Sequence, residues 1–536
     1  MIIMGETKLM KKLKLNETNR LILYTIVGIT IITVNFFISY KYSIRNIDSD
    51  ASSELLLGKL LAEEGGICSS NWLYSTELRV LNTQVFYKLF FLLTSNWALV
   101  RALAFTAFLI LLLAACIGLA KKYALGDGAV IMGLFLLMPF SKQYSQFVLF
   151  DQYYFPHILI TLTTLLLLVI EAKKEVKIWK QCVIMGLNFL LSVVAGMGGM
   201  RQIIILYLPL FVAACIIFVM NWRLKNEWKQ SGLVAVQSTV VLFGAVIGYL
   251  INSKVLIKYF HFADYSKLQF EAFTMKKLEW FINSYFSFWG YEDSVEILNM
   301  QGVLNACGLL LALLFILAVY ILIRTWEKCD FKEQIIVSFL LVNIVCHIGI
   351  FMFSDIDQKP RYLLPVFFLA LPVMAISCRH LQDAFFRRGL FWTITILLGL
   401  SSLRGYQEYR TNTQNDAKIE LVQFLSENDY DFGYATFWNA SVLTEMTNGE
   451  IEMYPMQSKD VTPDVWNGLV SSYWLVSQDI LNKQTDKPVF VLFTKKEMKK
   501  YGAEVHYLND EDCVFQNDGY YVYAYPSQAA LMELIK

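Results

Sequence analysis

The sequence predicts a polytopic α-helical membrane protein with a smaller α/β domain at its C-terminal end. Three observations lead to this prediction: an apolar composition, repeated apolar runs of membrane-crossing length, and a change of composition after Arg404. Of the 536 residues, 56% are hydrophobic, 15% are aromatic and only 17% are charged, and the mean hydropathy is +0.47. An ordinary soluble domain is about 25% charged, so most of this chain is expected to lie in lipid.

Apolar runs long enough to cross a bilayer recur along the first three quarters of the chain. A hydrocarbon core of about 30 Å needs roughly 20 apolar residues per helix. Pro139, Ser141, Lys142 and Gln143 interrupt the third run, which makes it the weakest. The eleven predicted spans are 21–40, 97–119, 128–147, 154–171, 182–198, 201–220, 232–252, 303–323, 335–353, 362–378 and 389–404.

Lysine and arginine in the short loops predict the orientation of these spans. Basic loops alternate with less basic ones, and the positive-inside rule places the basic set in the cytoplasm. The N-terminus is therefore expected inside, and its first apolar segment is expected to be a retained span. The outer loops are then 41–96, 150–155, 196–201, 253–302 and 354–361.

Two regions follow from the composition, 1–404 in the membrane and 405–536 beyond it. The second region carries more polar residues and turn signals. Strand-like runs at 432–438, 488–493 and 520–525 alternate with helix-like segments at 417–428 and 495–502. Such alternation is typical of α/β structure. With an odd number of spans, this domain is expected to lie outside the cytoplasm.

Charge and cysteine usage exclude several classes of protein. The net charge is +1, without a basic stripe interleaved with aromatics, so no nucleic-acid partner is indicated. Nine cysteines occur singly and lack C-x-x-C spacing. Neither a disulfide framework nor a zinc motif of standard spacing is therefore indicated.

The first outer loop opens with an unusual group of carboxylates in 43-SIRNIDSDASSELLLGKLLAEEGG-66. Asp48 and Asp50 begin a predicted helix that lies along the membrane surface and ends at Gly65-Gly66, and Glu54 follows one turn later. One aspartate is expected as an N-cap, but capping uses a single carboxylate. Crowded like charges are unfavourable unless a cation or a proton-accepting role compensates, so at least one is expected to be functional.

Further candidate residues lie in the other outer loops. Asp151 stands in 150-FDQYYFPHI-158, Arg201 follows the turn 196-GMGGM-200, and Lys359 and Arg361 open 359-KPRYLLPVFFLALPV-373. Each has a structural alternative: a helix cap for Asp151, a tight turn before Arg201, and snorkelling to the interface for Lys359 and Arg361. His157 is expected to be a packed or interfacial histidine.

The segment 71-NWLYSTELRVLNTQVFYKLFFLLTSNWALVRALAF-105, after the acid pair, resembles the first outer loop of the GT-C integral-membrane glycosyltransferases. The resemblance is to the branch of glycosyltransferase family 39 and the protein mannosyltransferases. Asn96-Trp97 and Val100-Arg101-Ala102 match the end of that loop. The Lys-Pro-Pro stretch common in the family is replaced by 77-ELRVLNTQ-84, in which Arg79 is the alternative cation.

The resemblance implies transfer of a sugar from a polyprenyl-phosphate donor to an extracytoplasmic glycan, lipid or protein. It implies Asp48 or Asp50 as general base and Asp151 as a residue that orients the acceptor or assists the base. Arg201, Lys359, Arg361 and Arg79 are the implied contacts of the donor phosphate. The Asp-Ser-Asp spelling leaves a divalent cation possible, and metal use stays open.

Two other classes of membrane protein remain as alternatives. A polymerase or ligase of surface polysaccharide usually carries its large catalytic loop late in the chain. A transporter or flippase of lipid-linked glycans predicts polar or broken spans near the midplane and often an inverted repeat. The positions of Asp48, Asp50 and Asp151 discriminate among them, since a glycosyltransferase requires all three at the mouth of one cavity.

Overall fold

The computed structural model describes residues 17–170, 178–224, 228–263, 269–356, 359–459 and 461–536. The basic N-terminal tail and the basic segment at 171–177, on which the predicted orientation partly rests, lie outside the described residues.

Long helices dominate the chain up to residue 411. A short helical turn at Lys142–Tyr144 and a π-helical turn at Ser145–Phe150 lie between two of them. The elements of the first part are α1 (Glu17–Tyr42), α2 (Ser49–Glu64), β1 (Trp72–Tyr74), α3 (Thr83–Phe91), α4 (Trp97–Lys122), α5 (Gly126–Phe135), α6 (Phe155–Leu167), α7 (Ile178–Met197), α8 (Met200–Arg223) and α9 (Trp228–Leu250). Those that follow are β2 (His261–Phe262), α10 (Met275–Phe288), α11 (Met300–Arg324), α12 (Phe331–Met352), α13 (Pro360–Phe367), α14 (Ala370–Arg379) and α15 (Ala384–Thr411).

A polytopic membrane protein is confirmed by the length and apolarity of these helices. Among the described residues, seven helices are long and apolar enough to cross a membrane, and an eighth span arises if α13 and α14, bent by 48°, are one. The predicted third and fourth spans correspond to the short helices α5 and α6. Pro139 lacks an amide hydrogen and follows the end of α5, which explains the break. The count of eleven spans stays a prediction.

Close backbone contact joins two of the membrane helices. A Cβ atom on Gly248 of α9 would lie 1.9 Å from the carbonyl oxygen of Val193, and one on Gly196 of α7 would lie 2.0 Å from that of Ala245. Only glycine fits at such distances. Small residues of this kind allow membrane helices to pack by van der Waals contact, so α7 and α9 form a fixed pair beside the site described below.

The C-terminal region is an α/β domain, as the alternation of patterns predicts. Its five-stranded sheet has the order β4-β3-β6-β8-β7, in which β3 pairs in parallel with β4 and β6, and β8 pairs antiparallel with β6 and β7. The sequence pattern missed β4 and β7. The elements are α16 (Asp416–Glu427), β3 (Phe432–Thr436), α17 (Phe437–Met446), β4 (Glu452–Met456), α18 (Pro463–Asn467), β5 (Val476–Ser477), α19 (Gln478–Leu481), β6 (Val489–Thr494), α20 (Lys495–Tyr501), β7 (Cys513–Gln516), β8 (Tyr520–Tyr525) and α21 (Gln528–Ile535).

A second, small sheet ties distant parts of the chain together. Its central strand β1, from the first loop, pairs in parallel with β2 and antiparallel with β5 of the C-terminal region. In addition, α15 continues without a break past Arg404, the predicted boundary, and ends at Thr411. The C-terminal region is thus joined to the membrane helices by a continuous helix and to the first loop by strand pairing.

Candidate active site at the first loop

Helix α2 begins where the sequence predicts, with Asp48 as its N-cap. The Ala51 amide donates to Asp48 Oδ1 at 2.9 Å, and the helix ends at Gly65, which has the left-handed φ of 81° that favours glycine. Helix α2 packs against α3 and against α17 of the C-terminal region and buries residues around most of its circumference. Its expected position along the membrane surface stays a prediction.

Asparagine side chains hold the segment that leads into α2. Asn415 donates from Nδ2 to the carbonyl oxygens of Ile44 (3.1 Å) and Ile47 (2.9 Å). Asn46 donates to the Tyr409 carbonyl oxygen at 3.0 Å. Because both contacts come from residues that follow α15 or end it, the C-terminal region fixes the position of the acid pair.

Asp50 is the aspartate of the pair that has no capping role. Its side chain is largely enclosed, and Oδ1 is buried without a hydrogen-bond partner. Burial and the neighbouring Asp48 raise the pKa of Asp50 to about 6, against the opposing charges of Arg361 and Arg79. A carboxylate with a pKa near 6 is ionised at neutral pH and still basic enough to accept a proton.

Asp151 lies close enough to the pair to interact with it. It is 4% exposed, and its Oδ2 is buried without a hydrogen-bond partner. Burial and the negative charge of Asp48 raise the pKa of Asp151 well above its usual value, and Arg101 opposes this rise. The three predicted acids are therefore neighbours. A raised pKa favours the protonated form of Asp151, which can donate a hydrogen bond.

Glu54 belongs to a different, structural group. Its Oε2 accepts hydrogen bonds from Asn82 Nδ2 (2.8 Å) and the Thr83 hydroxyl (3.3 Å). Arg79 lies 4.0 Å from Oε1 and donates to Glu77 at 2.9 Å. The third acid of the opening stretch is thus satisfied within the first loop, and it fixes Arg79 beside Asp50.

A pair of tyrosines that the sequence analysis did not single out connects the arginines. The rings of Tyr153 and Tyr154 are 5.3 Å apart, centroid to centroid. The guanidinium of Arg79 lies 5.2 Å from the Tyr153 ring, and that of Arg201 lies 5.4 Å from the Tyr154 ring. Arg361 also interacts electrostatically with Tyr154. The 150-FDQYYF-155 segment thus brings three arginines of distant sequence position to one place.

Arg361 and Lys359 differ in how they are held. The guanidinium of Arg361 lies 5.2 Å from the Phe147 ring and interacts electrostatically with Asp50. Its Nε is buried without a hydrogen-bond partner. Lys359 is exposed at the start of the turn that leads into α13. We call Asp48, Asp50, Asp151, Arg79, Arg201 and Arg361 the acid–arginine cluster.

The glycine-rich turn before Arg201 has a packing role. Gly199 has a φ of 91°, and a Cβ atom there would lie 3.1 Å from Glu77 Cδ. The side chain of Glu77, which pairs with Arg79, therefore packs directly against this turn. His157 is buried, as expected, with Nε2 at 3.4 Å from Arg201 and Nδ1 against Gln202.

The C-terminal region adds two charged residues that no sequence motif indicated. Arg101, fully buried on α4, forms a two-pronged contact with Glu445 of α17 at 2.7 and 2.6 Å, and donates to the Ala51 carbonyl oxygen at 3.2 Å. Lys418 is 8% exposed. Burial lowers the pKa of Lys418 to about 8, and the charge of Asp48 opposes this shift.

Two cavities adjoin the cluster. One, of about 330 Å³, is lined by Asp151 and by polar side chains that include Asn46, Gln146 and Asn412. The other, of about 540 Å³, lies beside α10 and reaches Pro360, next to Arg361. Both are lined by Glu292. Among the described residues, the group of three side chains that meets the spacing of a metal site is Cys329, Glu333 and His380, and it lies elsewhere.

No protein-family model and no curated protein match the sequence. Solved structures do match. ArnT from Cupriavidus metallidurans bound to undecaprenyl phosphate superposes with a TM-score of 0.55 at 12% identity, over 95% of this chain and 98% of ArnT. The chain has the GT-C glycosyltransferase fold.

A second structure of ArnT agrees with this assignment of fold. The apo state of the same ArnT gives a TM-score of 0.54 at 12% identity, over 95% of this chain and 98% of ArnT. The Archaeoglobus fulgidus oligosaccharyltransferase gives 0.44 at 11% identity, over 88% of this chain and 69% of that one. The predicted GT-C fold is confirmed, while the resemblance to family 39 stays a prediction.

Proposed function

We propose that this GT-C protein transfers a sugar from a polyprenyl-phosphate donor to an acceptor on the extracytoplasmic face of the membrane. The observation that carries the proposal is the acid–arginine cluster, in which Asp50 interacts electrostatically with Arg361 and Arg79. The ArnT structure holds undecaprenyl phosphate in the same fold, and this supports a lipid phosphate as part of the donor.

The cations of the cluster suit a departing phosphate. As the sugar leaves, negative charge develops on the phosphate oxygens, and fixed cations stabilise it. Arginine binds two oxygens at once through its planar fork. Arg361 has a buried Nε without a partner, so a phosphate would satisfy a donor that the protein leaves unpaired. Arg79 and Arg201 are held on the tyrosine pair nearby.

The acid pair supplies the general base. One oxygen of Asp48 accepts the capping hydrogen bond. The Oδ1 of Asp50 has no partner, and the Asp50 carboxyl has a pKa of about 6. Asp50 is therefore our first candidate to accept the proton of the acceptor hydroxyl. Asp151 orients the acceptor in the polar cavity of about 330 Å³, whose amide and carboxyl groups match the hydroxyl groups of a glycan.

The clustering of the acids favours this function over the two alternatives. A transporter needs no base beside phosphate-binding cations at one end of its helices, and a late catalytic loop would not explain the packing of α2 and β1 against the C-terminal region. To identify the sugar and the acceptor, lipid-linked glycans are profiled in cells with and without the protein. A glycan species that is lost without the protein is the product.

Substitution of each aspartate by asparagine tests the base. Asn keeps the shape and the capping ability of Asp and removes the charge. Asp50→Asn should lower the transfer rate by about 10²–10⁴ with expression unchanged, while Asp48→Asn keeps measurable activity. The reverse result would exchange the two roles. Full activity in both variants would place the base elsewhere and refute the proposal.

A further inference from the structure

A second group of reactive side chains lies far from the acid–arginine cluster. Cys329 precedes α12, Glu333 stands in its first turn, and His380 follows α14. The side chains are mostly buried: Cys329 is 5% exposed, Glu333 is 2% exposed, and the His380 side chain is 11% exposed. Because Arg361 opens α13 near the opposite end of α12, which is 22 residues and about 33 Å long, this group does not take part in sugar transfer.

The three ligand atoms have the spacing of a metal site. Cys329 Sγ lies 3.6 Å from His380 Nε2, and Glu333 Oε2 lies 2.9 Å from the same nitrogen. In a tetrahedral zinc site, Zn–S of about 2.3 Å and Zn–N of about 2.0–2.1 Å place sulfur and nitrogen about 3.5 Å apart. The two contacts share Nε2, so the arrangement differs from a catalytic relay, in which the imidazole uses both nitrogens.

The surroundings hold the carboxylate in place. Glu333 Oε2 accepts from the Asp330 amide at 3.2 Å, and the Glu333 amide donates to Asp330 Oδ1 at 2.9 Å. Glu333 Oε1 faces the Arg379 guanidinium at 3.2 Å and has no hydrogen bond. The Asp330 amide orients the carboxylate through one lone pair of Oε2, which leaves that oxygen a second lone pair for a metal, and Arg379 offsets part of the negative charge.

We propose that Cys329, Glu333 and His380 bind a zinc ion that joins the start of α12 to the end of α14. Thiolate, imidazole and carboxylate together suit zinc, a borderline-soft cation, and water completes a four-coordinate site. Zinc displaces the thiol proton of Cys329 and the proton on His380 Nε2, and both pass to the solvent. By fixing one end of α12, the ion sets the position of a helix whose other end lies near Arg361, where the rings of Phe351 and Tyr362 stack at 6.1 Å.

Metal content of the full-length protein in detergent tests the site. After dialysis with zinc and then without it, the wild-type chain should keep about one zinc per chain, measured by mass spectrometry. Cys329→Ala and Glu333→Gln should each lose it, and Cys307→Ala, a buried cysteine on α11, should keep it. A wild-type protein without bound zinc, or a Cys329→Ala variant that retains it, would overturn the proposal.

A second measurement needs only the wild-type chain, in case the variants do not fold. Thiolates bound to a metal are poor nucleophiles, so zinc alone should slow alkylation of Cys329 by about tenfold or more. Cys182, which is exposed, is the internal control. Peptide mass mapping reads both residues in one sample. Equal rates at Cys329 with and without zinc would contradict a metal site.

Discussion

Replacement of Arg361 tests the donor site most directly. The guanidinium lies 5.2 Å from the Phe147 ring and 5.8 Å from the Tyr362 ring, and it interacts electrostatically with Asp50. The unpaired Nε is the atom that we expect a phosphate oxygen to accept from. Arg361→Ala removes the fork and the charge while the aromatic rings remain.

The expected loss follows from the kind of contact. A hydrogen bond to a charged group contributes about 1.5–3 kcal/mol, and about 1.4 kcal/mol corresponds to a factor of ten in binding. Arg361→Ala should therefore weaken the binding of undecaprenyl phosphate by about one to two decades. Arg361→Lys should recover only part of this loss, because a point charge replaces a two-pronged contact.

Binding of undecaprenyl phosphate to the purified chain in detergent measures this effect without knowledge of the sugar. Arg410→Ala is a matched control, since Arg410 also lies over a tyrosine ring, that of Tyr42, at 5.8 Å, yet lies outside the acid–arginine cluster. It should bind as the wild type does. The pH dependence of activity is a second measurement, because Arg361 lowers the pKa of Asp50. Its removal should move the acid limb of activity to higher pH.

Three results would refute the reasoning. Unchanged binding in Arg361→Ala would remove Arg361 from the donor site and leave the proposal resting on the first loop. Weaker binding accompanied by an equal loss in Arg410→Ala would indicate a general disturbance of the fold. An acid limb that does not move would show that Arg361 and Asp50 act independently, against the geometry described above.

Other expectations follow from the same contacts. Activity of the wild type should fall as the pH drops through about 6, since the Asp50 carboxylate must be ionised. Asp48→Asn should move this fall in activity to lower pH because it removes a neighbouring negative charge. The pH–rate profiles of the wild type and of Asp48→Asn measure both effects. Glu445→Gln leaves the Arg101 charge buried and should destabilise the protein by about 3–5 kcal/mol, read from unfolding in detergent against the more exposed pair Lys483–Glu452, where Glu452→Gln should change little. A reporter active only in the cytoplasm, fused after Lys536, should stay silent, and a signal would mean that the predicted number of spans is wrong by one.

The sequence was informative where local patterns determine structure. Helices at seven of the predicted apolar runs, a cap by one of the two aspartates and the Gly65 stop depend on residues close together in the chain, and the structure has each of them where it was predicted. The strand-like runs near 432, 488 and 520 became β3, β6 and β8 for the same reason. The predicted spans at α5 and α6 were less secure, because short apolar helices do not differ in composition from spanning ones.

Contacts between distant segments could not be read from the sequence. Nothing near Arg101 indicates its partner Glu445, which lies 344 residues away. The tyrosine pair is part of a segment chosen for Asp151, yet its role depends on arginines from three other loops. The Cys329–His380 contact likewise joins two loops without any recognisable spacing. Such residues become visible only when the fold brings them together.

The C-terminal region is best understood as part of the structure that positions the first loop, where we propose the general base. Its strand β5 pairs with β1, its Glu445 forms an ion pair with Arg101, and its Asn415 donates a hydrogen bond to the segment before Asp48. Arg101 in turn donates to the Ala51 carbonyl oxygen, in the first turn of α2. The acid pair is thus held from both sides, by α4 of the membrane part and by the C-terminal region. A general base must keep its distance to the reacting hydroxyl within hydrogen-bond reach, and this double support provides that constraint for a loop that membrane helices alone would leave unsupported.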